Sequence, residues 1–287
     1  MISLLALDMD GTLLNSEKKI DPQSVEMLKA VRNAGITIAL STGRGLTELK
    51  DYMEEIRACV DCGVITSGAV VYDFRTDQVI WARRIGRETA RQVYELGWQE
   101  DTMSVLMSIY ETITDRAEVE HMEDFGMGAY KGMYRRYTKM VDEYRDYVLA
   151  HAEEAIKINF YHKDRESRDR TFHRMEGLPV ARTYQEETSL EVIPCGLSKA
   201  AGLEELCRYL EISMEETMVV GDSENDMEVL EVAGVAVAMG NALKEVKDIC
   251  DICVAVNDHG GIAEVCQYLL DQNKDRENDN SYIKDKE

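Results

Sequence analysis

The chain has 287 residues, 45% of them hydrophobic, enough to bury a sizeable core and to form one large domain or two, so global disorder is excluded. With 55 acidic against 33 basic residues its formal net charge is −22, which argues against nucleic acid or an anionic membrane surface as partner. The same charge repels anionic substrates at long range, so a site for a phosphorylated molecule is expected to be locally positive.

No basic leader precedes an apolar stretch at the N-terminus, and no segment approaches the ~20 apolar residues of a membrane span, so a cytoplasmic protein is expected. Seven cysteines, an odd number in a chain of this size, fit reduced thiols. Cys59-x-x-Cys62 and Cys250-x-x-Cys253 have the spacing of zinc ligands, but each approaches a short β-branched run where a small buried thiol is ordinary packing.

The first element is an apolar run, residues 4–7, ending in Asp8-Met9-Asp10-Gly11-Thr12. Side chains alternate along a strand, so Asp8 and Asp10 leave its end on the same side, and a cation between them relieves their repulsion. Oxygen ligands of this kind suit Mg²⁺ better than Zn²⁺. An Asp-Gly turn closing a strand is the plainer alternative.

Asp21-Pro22 then starts a helix, with Val25, Leu28 and Val31 as its buried stripe and Gly35 as its stop, and residues 36–40 read as a buried strand. Strand, helix and strand with short connections make a βαβ unit and imply a parallel sheet. Ser41-Thr42-Gly43-Arg44 follows at the carboxyl end of that strand, the rim where ligands bind in open α/β sheets, ahead of a helix over 46–57. The Thr42 hydroxyl and Gly43 amide there make a phosphate cradle, although Ser-Thr-Gly also serves as a plain helix cap.

After a third strand at 63–66 and an extended stretch at 70–72, the pattern changes. Over 83–187 helical segments (87–99, 142–154, 165–176) alternate with strands (103–109, 156–161, 180–184, 189–193 at its edge), which predicts an inserted α+β domain. Its tyrosines, among them Tyr110, Tyr130, Tyr134, Tyr137 and Tyr161, could line a pocket or simply pack. The core resumes over 188–271. Ser198 caps a helix with Lys199 in its first turn, where a cation opposes the helix dipole and so is expected to face an anion. The strand at 217–221 ends in Asp222-Ser223-Glu224-Asn225-Asp226, more acid and amide than capping needs. Strands at 235–238 and 252–256 and a helix over 262–270 complete the core, and the polar stretch 272–287 is expected to be disordered.

Taken together, Asp8-x-Asp10-Gly11-Thr12, Ser41-Thr42-Gly43-Arg44, Lys199 after Gly196-Leu197-Ser198, and Gly221-Asp222-x-x-Asn225-Asp226 resemble motifs I to IV of the haloacid dehalogenase (HAD) superfamily. Met239-Gly240-Asn241-Ala242 and the insertion between motifs II and III bring the resemblance closest to the Cof-like, C2B-capped sugar phosphatases. One departure is Ser67-Gly68-Ala69, where that family more often has Asn-Gly-Ala, and it bears on the substrate.

The resemblance implies an α/β fold with a Rossmann-like parallel sheet and a C2-type cap. It further implies Asp8 as nucleophile, Asp10 as general acid and base, and Mg²⁺ held by Asp8, the Asp10 backbone carbonyl and Asp222. Met9 and Gly43 backbone, Thr42, Lys199 and Asn225 would grip the phosphoryl group, with Asp226 supporting the metal shell or orienting Lys199. The expected activity is Mg²⁺-dependent hydrolysis of a small phosphorylated metabolite, a sugar phosphate by this likeness. The alternatives are a phosphomutase and a non-catalytic metabolite-binding protein on the same scaffold.

Overall fold

The computed structural model describes residues 1–184 and 187–284, with side chains through residue 272. Two sheets organise them. The larger contains β1 (Leu4–Leu7), β2 (Thr37–Ser41), β3 (Cys62–Ile65), β4 (Val70–Asp73), β5 (Gln78–Ala82), β12 (Thr217–Gly221), β13 (Val235–Ala238) and β14 (Ile252–Cys253), which flank the intervening second unit in sequence. Its eight strands lie in the order β14-β13-β12-β1-β2-β3-β4-β5.

β1 is flanked on both sides, and Leu4, Leu5, Ala6 and Leu7 are all fully buried. A strand shielded on both faces reads as an uninterrupted apolar run, and each buried leucine contributes roughly 1.5 to 3 kcal/mol. Six strands from β14 to β3 run parallel. The expected parallel core is thus present, and β4 and β5 add an antiparallel edge to it. The short connections through Thr66–Gly68 and the turn after Asp73 explain this, since a hairpin needs no crossover helix.

The second sheet contains β6 (Thr102–Met107), β7 (Thr112–Asp115), β8 (Lys139–Val141), β9 (Lys157–His162), β10 (Val180–Tyr184) and β11 (Ser189–Pro194), in the order β10-β11-β9-β6-β7-β8. Its outer face carries the helices Arg87–Gly97 and Arg165–Arg174 over a separate core of Tyr94, Leu106, Ile158, Phe160, Leu190 and Val192. Gly97 lets the first of these helices lie against the sheet, since a Cβ there would stand 2.2 Å from the Phe160 ring. The inner face turns toward the larger sheet.

β11 pairs with β10 and β9, so the chain returns to the core after Pro194 and not at 188. The cause is the burial of Leu190 and Val192 in the second core. Of the stretch expected to be disordered, 272–287, residues 272–284 instead prolong the helix Gly261–Lys284, and 285–287 lie outside the described residues. No glycine or proline interrupts the chain after Gly261, and a helix already nucleated by packing propagates at little cost. Among the described residues no helix is long and apolar enough to cross a membrane. Cys62 in β3 and Cys253 in β14 are separated by four strands, so the two CxxC pairs do not converge.

Candidate active site

The parallel register builds the rim. Leu7 lies beside Leu40 of β2 and Val220 of β12, so Asp8, Ser41 and Gly221 emerge side by side, with neighbouring strands about 4.8 Å apart. The Asp8 amide continues the ladder by donating to the Val220 carbonyl at 3.0 Å, and the Thr42 amide donates to Val64 at 2.9 Å. Residues far apart in sequence thereby become neighbours at adjacent strand ends.

Lys199 enters this rim from the first turn of the helix Lys199–Leu210, whose N-cap Ser198 accepts from the Ala201 amide. Its Nζ lies 2.6 Å from Asp8 Oδ1, 2.7 Å from Asp226 Oδ1 and 3.2 Å from Asn225 Oδ1, and the lysine is 4% exposed. The dipole cost of a cation at that position is thus offset by two carboxylates. The second oxygen of Asp226 accepts from the Asp222 and Ser223 amides, so Asp226 closes the loop after β12 while orienting Lys199. Burial opposes a charge on Lys199, but Asp8 and Asp226 outweigh it and hold the ammonium protonated.

Asp8, Asp222 and Asp226 offer carboxylate oxygens within 4.8 Å of one another. Burial pushes Asp8 up to about 7, with Lys199 opposing and Asp226 and Asp222 adding to the rise. Burial likewise raises Asp222 to about 6, against a hydrogen bond donated by Thr12 Oγ1 at 2.9 Å. The raised Asp8 and Asp222 both favour an added positive charge, and a cluster of hard oxygen donors of this kind fits Mg²⁺. The surrounding cavity, about 610 Å³, adds to that need: Asp8, Asp10, Glu48, Asp51 and Glu191 outnumber Lys18, Arg44 and Lys157 along its wall. The expected locally positive pocket is therefore not met by side chains lining the cavity.

Asp10 stands apart from the three-carboxylate group. Its Oδ2 accepts from Arg44 Nε at 2.7 Å, and its Oδ1 accepts from Arg44 Nη2 and Lys18 Nζ, both at 2.8 Å. Burial alone would raise its pKa, but the Arg44 and Lys18 hydrogen bonds prevail and bring it to about 2. Thr42, 1% exposed, accepts from the Arg44 amide at 3.2 Å through its hydroxyl oxygen, leaving the hydroxyl proton to donate elsewhere. Met9 is fully buried beneath the rim, and Gly43 and Asn225 line the cavity.

Gly11 makes the turn after β1 possible. Its φ is +83°, and a Cβ would lie 2.3 Å from Asp222 Oδ2. Gly11→Ala is expected to cost about 1 to 2 kcal/mol in left-handed strain and to push Asp222 out of the group. Urea unfolding together with an activity assay checks both effects.

Several contributors escaped the sequence reading. Thr12 orients Asp222, and Asn241 Nδ2 donates to the Gly11 carbonyl at 2.7 Å, which gives the Met239-Gly240-Asn241-Ala242 segment a physical role. Lys157 and Asn159 point from β9 into the cavity beside the already noted Tyr161, while Ile158 and Phe160 face the outer core; this polar-apolar alternation in 157–161 was the available signal. Of the tyrosines singled out, Tyr130, Tyr134 and Tyr161 line the cavity, together with Tyr52, whereas Tyr110 is exposed and Tyr137 donates to Asp51. Ser67 adopts the left-handed φ of 56°, a conformation asparagine takes more readily than serine.

The profile of the haloacid dehalogenase-like hydrolases matches residues 5–266. The 5-amino-6-(5-phospho-D-ribitylamino)uracil phosphatase YitU of Bacillus subtilis is 28% identical, over 91% of this chain and 94% of that protein. The HMP-PP phosphatase of Serratia proteamaculans is 27% identical, over 87% and 88% respectively. Among solved structures, BT1666 from Bacteroides thetaiotaomicron, described as a phosphatase of the HAD superfamily, superposes with a TM-score of 0.76 at 28% identity, covering 94% of this chain and 95% of its own. With the profile spanning nearly the whole chain and the four motifs meeting at one rim, the protein belongs to the haloacid dehalogenase-like hydrolases.

Proposed function

We propose that this protein is a Mg²⁺-dependent phosphatase that hydrolyses a small phosphorylated metabolite through an aspartyl-phosphate on Asp8. The observation that carries the reading is Lys199 bridging Asp8 and Asp226 at the strand ends, with Asp222 close enough to share a cation. Asp8, Asp222 and the Asp10 backbone carbonyl would hold Mg²⁺, which when bound lowers the carboxyl pKa values and offsets charge between carboxylate and phosphate.

An oxygen of Asp8 attacks phosphorus and the bond to the leaving oxygen breaks, with Asp10 delivering a proton to that oxygen. Water then attacks the aspartyl-phosphate, Asp10 takes its proton, and the bond to Asp8 breaks to release inorganic phosphate. Thr42, Lys199, Asn225 and the Met9 and Gly43 backbone grip the phosphoryl oxygens, the positioning and charge stabilisation on which such transfers depend. Arg44 and Lys18 hold Asp10 ionised, the state that accepts the proton of water, so delivery in the first step requires the Asp10 carboxyl to leave that clasp and take up a proton from solvent.

Beyond the rim the cavity is walled by Tyr52, Tyr130, Tyr134, Tyr161, Met127 and Met133, which supports a leaving group larger than water and able to stack. A sugar phosphate fits this volume, and so does a phosphorylated sugar chain bearing a ring, as in the substrate named for YitU. The test is phosphate release from sugar phosphates, nucleotides, flavin mononucleotide, pyridoxal phosphate and the phosphoribitylaminouracil. Release with Mg²⁺, loss with EDTA and recovery on adding Mg²⁺ back is expected. Isomerisation without release would favour a mutase, and silence across the panel would contradict the reading.

A further inference from the structure

The loop after β2, which faces the proposed phosphoryl site, draws one of its hydrogen bonds from the other unit. Thr42 and Arg44 carbonyls accept from the Ser67 and Thr66 amides of the larger sheet's own turn, at 3.1 and 2.9 Å. The carbonyl between them, Gly43, accepts instead from Lys157 Nζ at 2.7 Å. Lys157 projects from β9, is 4% exposed, and pairs with Glu191 of β11 at 2.8 Å.

The Gly43 carbonyl shares a peptide plane with the Arg44 amide, and that amide donates to Thr42 Oγ1. Fixing one end of the plane fixes the other. With its oxygen already accepting, the Thr42 hydroxyl has its proton free for an anion.

We infer that Lys157, held by Glu191, is a positioning residue that sets the Thr42 hydroxyl through the Gly43–Arg44 peptide, so the phosphoryl site is complete only when the inserted unit is seated. The inference rests on the phosphatase reading for its use in turnover, but the predicted effect on anion binding does not. Nζ reaches the loop backbone, and its charge is matched by Glu191, so its task here differs from capture of a leaving group.

Inorganic phosphate tests this, because it has no leaving group. Lys157→Met removes the donor; Lys157→Met with Glu191→Leu removes it without stranding a buried carboxylate, and serves if the single variant folds poorly. Each is expected to weaken phosphate inhibition and lower kcat on p-nitrophenyl phosphate by about tenfold, the worth of one misplaced hydrogen bond. Thr42→Val combined with Lys157→Met should lose less than the product of the two separate losses. Unchanged phosphate affinity in the folded double variant, or strictly multiplicative losses, overturns the inference. Should the wild type bind phosphate by calorimetry but release none from any ester, the phosphatase reading fails while the same binding comparison still decides this one. No binding by the wild type overturns both.

Discussion

Asp8→Asn is expected to remove turnover, on the order of 10⁴-fold or more, while leaving the molecule folded. The amide is nearly isosteric with the carboxyl but cannot open on phosphorus as an anion. Asp8 is 5% exposed, and its neighbours Asp222 and Asp226 already work against its charge, so neutralising it relieves repulsion inside the group. Lys199 keeps its bond to Asp226. The variant's melting temperature should therefore stay within a few degrees of the wild type. Turnover close to wild type would remove Asp8 from its assigned role, and collapse of the fold would show that the carboxylate is structural.

Lys199→Met is expected to damage both function and stability. It deletes the ammonium that touches Asp8, Asp226 and the Asn225 amide oxygen, and it leaves buried carboxylates uncompensated at about 3 kcal/mol or more. Loss of a preorganised positive charge at the proposed phosphoryl site should lower kcat by roughly 10²- to 10³-fold. The stability loss has a defined pH dependence. Asp8 already lies at about 7, above its ordinary 3.8, and removing Lys199 raises it further. A carboxyl raised in the folded state keeps its proton there, so stability is retained at low pH and lost as pH rises through the folded value. Urea unfolding in EDTA should show the defect fully at pH 8 and largely relieved near pH 5. A defect independent of pH would mean that lysine packing, not charge pairing, supports the site.

The candidate rim was legible because each part sits where an uninterrupted apolar strand ends. Leu4–Leu7, Thr37–Ser41 and Thr217–Gly221 announce buried parallel strands, and in such a sheet their last residues share one edge. Lys199 was legible for a different reason, as a charge placed against a helix dipole. Whatever depends on the direction of a side chain was hidden. Arg44 was quoted within a loop motif, yet its clasp on Asp10 and its stacking over Tyr52 arise from side-chain directions that spacing does not encode.

Lys157 and Glu191 were hidden similarly, since an alternating strand gives no indication of what its polar face meets. β7 and β8 were missed because Thr112–Asp115 and Lys139–Val141 are too short to show a period, and they are held by pairing with neighbours. The return point at Pro194 and the helix to Lys284 depend on tertiary pairing and on helix propagation, both silent in local composition.

In the proposed reaction phosphorus becomes bonded to Asp8 during turnover. Mixing the enzyme with excess substrate and Mg²⁺, quenching in acid within one turnover and mapping peptides by mass spectrometry tests it most directly. One phosphoryl group is expected on the peptide carrying Asp8, absent from Asp8→Asn. Phosphate release with that peptide unmodified at every quench time, or a phosphoryl group on a different residue, would contradict it.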